Sequence, residues 1–106
     1  FDGLSIRVPT AVVSLSDLTF ILKKNVTVEQ VNRALVRASN RPRFKGILGV
    51  TDEPVVSSDF IKDPRSSIVD LSLTKVVGGN MVKIIAWYDN EWGYSNRLVE
   101  MINQVI

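Results

Sequence analysis

The sequence predicts an α+β fold: a mixed, largely antiparallel sheet with helices on one face, ending in an amphipathic helix. Three observations carry this reading. The apolar patterns run in the order β-β-α-β-β-β-α, which segregates helices from strands rather than alternating them. Gly78-Gly79-Asn80 separates two period-two runs, and glycine and asparagine tolerate the positive φ that a tight hairpin needs. Two segments, 28–38 and 98–105, repeat apolar residues at helical spacing.

Taken in order, Leu4, Ile6 and Val8 alternate with Ser5 and Arg7, a strand pattern stopped by Pro9. A β-rich run follows from Val13 to Leu22, with Leu18, Phe20 and Leu22 on one face and Thr19 and Ile21 on the other. Lys23-Lys24-Asn25 is a polar break. Thr27 begins a helix, because its hydroxyl can cap free backbone N–H groups and Gln30 completes a capping box. Val28, Val31, Leu35 and Ala38 form that helix's apolar stripe, and Pro42 limits its far end. Gly46 to Val50 reads as a short buried strand, and Thr51 to Asp63 as a loop. Ser67 to Val77 and Met81 to Tyr88 are the two arms of the hairpin. Leu98, Met101, Ile102 and Val105 mark the last helix, with Asp89 or Asn90 available as its cap.

The 106 residues suffice for one domain with a modest core. Hydrophobic residues at 45% and charged residues at 23% are ordinary for a globular protein and unlike a disordered one. A net charge of +2 is too small to argue for nucleic acid. The densest basic stretch, Arg37 to Lys45, is broken by Asn40 and Pro42 and reads as a solvated helix end plus loop. No apolar run approaches the ~18 residues that cross a bilayer. The chain opens at Phe1 without an initiator Met, which suggests a cut or processed product. With neither Cys nor His, it cannot build a Cys–His or Ser–His nucleophile–base pair, nor a zinc site of imidazole and thiolate ligands. Only carboxylates, Lys, Tyr and Arg remain for chemistry. The glycines fit neither GxGxxG nor a P-loop.

Arg7 could grip a phosphate with its forked donors, or form a surface ion pair. Tyr88 to Asn96 is the densest polar and aromatic cluster, placed where a strand meets a helix. It could face a cofactor with side chains and outward backbone N–H groups, or be a capped helix whose aromatics pack in the core. Ser57-Ser58-Asp59 has no base beside it and reads as a hydrogen-bonded loop. Asp63-Pro64-Arg65-Ser66-Ser67 reads as a turn into a strand.

Five stretches in order carry a resemblance: Arg7-Val8-Pro9-Thr10, Lys45 to Gly49, Val56 to Phe60, Asp63 to Ile68 and Trp87 to Arg97. Together they resemble the C-terminal part of phosphorylating glyceraldehyde-3-phosphate dehydrogenase, over essentially the whole chain. Erythrose-4-phosphate dehydrogenases tend to carry Cys before Asp-Asn-Glu-Trp-Gly and Phe-Ala after it, so Tyr88 and Tyr94-Ser95 side with the glyceraldehyde enzyme. The resemblance implies NAD-dependent oxidation of glyceraldehyde 3-phosphate, with inorganic phosphate, to 1,3-bisphosphoglycerate in glycolysis. The catalytic Cys and His and the NAD-binding domain would precede Phe1. Residues 1–89 would be part of the catalytic domain, and 90–106 a helix docking on the missing NAD-binding domain. By motif, Arg7 resembles the arginine that holds substrate phosphate and inorganic phosphate. Asn90 resembles the asparagine on the nicotinamide carboxamide, and Tyr94 the aromatic lining its pocket. A cytoplasmic homotetramer, with no membrane or specific nucleic-acid partner, is likewise implied. The rival reading is a non-catalytic binding or assembly module of the same fold.

Overall fold

The computed structural model describes residues 1–106. Its strands are β1 (Ser14–Ile21), β2 (Leu48–Thr51), β3 (Ser67–Asp70), β4 (Lys75–Val77) and β5 (Met81–Tyr88), and its helices α1 (Val28–Ser39) and α2 (Trp92–Val105). They form the expected α+β arrangement. One five-stranded sheet runs β1-β5-β3-β2, with β4 also on β5. All pairings are antiparallel except β2 with β3, so the sheet is mixed.

The anticipated arm from Ser67 to Val77 is two strands. Ile68 and Val69 pair with the far half of β5, and Lys75 to Val77 with its near half. Between them Leu71–Leu73 makes a 3-10 turn, started by Asp70, whose Oδ1 accepts from Ser72 N and Oγ. At the hairpin tip Gly78 (φ 60°) and Gly79 (φ 84°) take the left-handed backbone that the turn requires. Backbone bonds from Leu22 N to Asn80 O and from Val26 N to Gly79 O pin this tip to the segment after β1.

The predicted capping box opens α1: Gln30 N donates to Thr27 Oγ1 and Thr27 N to Gln30 Oε1. Val28, Val31, Leu35 and Ala38 are all half-buried, and the helix packs against β2. No residue of α1 is fully buried. The buried core comes from other elements: Val13, Phe60 and Ile68 with Trp87 packed on them, and Val69, Val82, Ile85 and Ala86 of β3 and β5. Phe60 reaches it from a 3-10 turn, Ser57–Phe60, inside the predicted loop, and stacks on Trp87 with ring centroids 5.5 Å apart. Asp59 accepts from Val56 N there, the hydrogen-bonded role expected of that loop.

The strand expected at Leu4 to Val8 does not form. Residues 1–10 are exposed and carry no ladder. Period-two alternation shows that a segment could be half-buried in a sheet, but a strand also needs a partner edge. The segment pairs with neither outer strand of the sheet, β1 or β2, and Thr10 N bonds Val8 O in a local turn.

Candidate functional site

The candidate site is built at the corner where β5 ends and α2 begins. Asp89, 5% exposed, anchors it. Its Oδ1 accepts from Trp92 N at 2.9 Å and Glu91 N at 3.2 Å, and its Oδ2 from Lys62 N at 2.8 Å. These backbone donors, Trp92 first, hold the carboxyl below the usual carboxylate range against the opposing effect of burial. Asp89, not Asn90, is thus the cap. The outward backbone N–H groups anticipated at this helix start are consumed by it, since Gly93 N also bonds Asp89 O. Side chains are what the corner offers a ligand.

Asn90 is one of them. It is exposed, and Ser14 Oγ donates to its Oδ1 at 3.2 Å, while its Nδ2 has no partner. Ser14 lies opposite Tyr88 in the β1–β5 register, which brings the start of β1 to the corner. Tyr94, on the first turn of α2, is 65% exposed, and Trp92 is exposed as well. None of the aromatics of the Tyr88 to Asn96 cluster joins the core, where Trp87 just before it packs instead. Arg7 lies in the exposed segment before β1 and makes no ion pair within the chain. It is therefore not held on a strand, and no contact joins it to Asn90 or Tyr94.

Behind the corner, Asp63-Pro64-Arg65 is a bracket rather than a site. Asp63 accepts from Arg65 Nε and Nη2 in a forked pair, which lowers the Asp63 pKa and raises that of Arg65. The guanidinium lies over Gly49, where any Cβ would overlap Arg65 Nη1. Arg65 O faces Gly93, 3.0 Å from where a Cβ would stand, and Arg97 Nη1 donates to Ser66 Oγ. Ser14, Val13 and Lys62 were not singled out from sequence. Val13 (φ 76°) and Lys62 (φ 63°) are the chain's two left-handed residues other than glycine, and no local sequence signal marks them.

A nicotinamide carboxamide fits an exposed asparagine with a free amide donor, and an open tyrosine ring suits the same ligand. A phosphate fits an exposed guanidinium that no carboxylate neutralises. No cluster of three or more carboxylates that could hold a metal ion forms.

Comparison with known proteins gives the family. The family model described as glyceraldehyde 3-phosphate dehydrogenase, C-terminal domain, matches residues 1–90. The chain belongs to this family. It is 50% identical over 104 residues to a glyceraldehyde-3-phosphate dehydrogenase of Zymomonas mobilis, covering 98% of this chain and 31% of that protein. It is 54% identical over 99 residues to the enzyme of that name from Cereibacter sphaeroides, covering 93% and 29%. Against that of Mycobacterium avium it is 52% identical over 101 residues, covering 95% and 29%. The chain thus spans about three tenths of the length of these curated relatives.

Proposed function

We propose that this chain contributes the phosphate grip and a nicotinamide contact to an NAD-dependent, phosphorylating oxidation of glyceraldehyde 3-phosphate to 1,3-bisphosphoglycerate. The observation that carries this reading is Asn90, an exposed amide backed by Asp89 and Ser14, in a chain about half identical to enzymes named for that substrate. Arg7 holds the phosphate of the substrate and the incoming inorganic phosphate with its forked donors. Asn90 meets the nicotinamide carboxamide and so fixes which ring face is offered to the substrate. Tyr94 lines the same pocket. NAD, when bound, supplies the hydride acceptor. The nucleophile and its base come from outside these residues, which contain no Cys and no His.

α2 docks on the NAD-binding domain. Leu98, Met101, Ile102 and Val105 are 49%, 61%, 55% and 80% exposed in the chain alone. Burying each stabilises by roughly 1.5–3 kcal/mol, so a stripe of four favours a partner. The whole enzyme works as a cytoplasmic homotetramer. The test is NADH formation from glyceraldehyde 3-phosphate, NAD and phosphate. A full-length polypeptide carrying this sequence forms NADH only with all three present, and the pure 106-residue chain forms none. Steady NADH from the chain alone, or none from the full-length polypeptide, defeats the proposal.

A further inference from the structure

We propose that Ser14, presented by a strained elbow at Val13, is a positioning residue that fixes which end of the Asn90 amide meets the nicotinamide. The inference rests on the reading of Asn90 as the nicotinamide contact. An asparagine amide has a donor end and an acceptor end of nearly equal shape, and its terminal torsion is soft. On an exposed corner both ends would point outward in turn. Ser14 engages one of the two ends. Its hydroxyl donates to Asn90 Oδ1 at 3.2 Å, leaving Nδ2 as the outward donor, matched to a carboxamide oxygen.

The hydroxyl is itself held in place. Ser14 is the first residue of β1 and pairs with Tyr88, two residues before Asn90. Val13, just before it, is buried against Phe60 and Ile68, yet its backbone is left-handed at φ 76°. A β-branched residue adopts that conformation only when its surroundings over-determine it. The second such residue, Lys62 (φ 63°), donates its N–H to Asp89, the residue before Asn90. Both strained residues of the chain therefore feed one corner. One places the hydroxyl that grips the amide, and the other steadies the backbone that carries it.

The test is calorimetric binding of NAD and of ADP-ribose, which lacks nicotinamide, to the full-length polypeptide. Ser14→Ala weakens NAD by roughly two- to tenfold, the worth of one hydrogen bond, and leaves ADP-ribose unchanged. Ser14→Thr keeps the hydroxyl and restores most of the loss. In an Asn90→Ala background, Ser14→Ala adds nothing. Should Ser14→Ala not fold, Ser14→Cys, of similar size but a weak donor, takes its place. If Asn90→Ala weakens NAD while Ser14→Ala does not, the positioning role falls and the reading of Asn90 stands. If Asn90→Ala also has no effect, that reading falls and the positioning role with it. Equal losses for NAD and ADP-ribose, or an undiminished Ser14→Ala effect without Asn90, overturn the inference as well.

Discussion

Asp89 works through the backbone of its own chain. One buried carboxylate accepts three backbone N–H groups, two at the start of α2 and one from the left-handed Lys62, and so ties a helix, a loop and a strand end together. Its folded pKa is depressed, so the unfolded chain binds the proton more readily. The stabilisation is fully present above the unfolded-state aspartate pKa and is lost as pH falls through the lower folded value. Asp63, depressed mainly by Arg65, adds with the same sign. Urea unfolding followed from neutral to acid pH checks this. Asp89→Asn costs about 1–3 kcal/mol at neutral pH, since its amide turns a donor toward one of the N–H groups. Its stability also falls less steeply with acid than that of the wild type, whereas parallel profiles would remove Asp89 from this role. Sequence offered Asp89 or Asn90 as the cap and left the Tyr88 to Asn96 cluster open between facing a cofactor and packing in the core, so that only the ordered motifs gave Asn90 and Tyr94 their roles. Val13 was illegible, since a valine gives no sign that its neighbours will hold it at positive φ.

Among the elements, α1 was the most legible, because a capping box and an apolar stripe are both local patterns, and both are present. Strands were less so, since a strand is a property of a pair. Ser67 to Val77 was read as one arm and is two, both on the same side of β5. Leu4 to Val8 has the alternation but pairs with no strand. The contact of α2 with the Asp63–Arg65 loop was not legible, because it depends on a glycine meeting a distant carbonyl. Helix propensity alone makes Gly93→Ala stabilising by ~0.8–1.0 kcal/mol. Here a Cβ would stand 3.0 Å from Arg65 O, a backbone atom held by the Asp63–Arg65 pair. Overpacking of this kind costs typically ~1–3 kcal/mol, so the substitution is net destabilising by about 1 kcal/mol in chemical denaturation. A gain in stability would mean that α2 does not lie against this loop.

At the scale of the molecule, only 12 of 106 residues are buried, and large apolar side chains stay exposed along β1 and α2. A core this small leaves surface that further protein would cover, consistent with relatives about three times as long. Composition and periodicity reached the fold class, but not the ligands. Those came from ordered motifs, since Arg7 and Asn90 make no contact that would mark them as one site. The central claim is that these two residues serve different ligands of one reaction. It is tested by single-turnover and steady-state kinetics of Arg7→Ala and Asn90→Ala in the full-length polypeptide. Arg7→Ala lowers kcat/KM for glyceraldehyde 3-phosphate and for phosphate by roughly 1.5–3 kcal/mol and leaves NAD binding unchanged. Asn90→Ala slows hydride transfer by up to about 10²-fold, with a smaller loss of NAD affinity, because a misplaced ring reacts poorly even when bound. Normal hydride transfer in Asn90→Ala together with unchanged kcat/KM in Arg7→Ala would contradict the account.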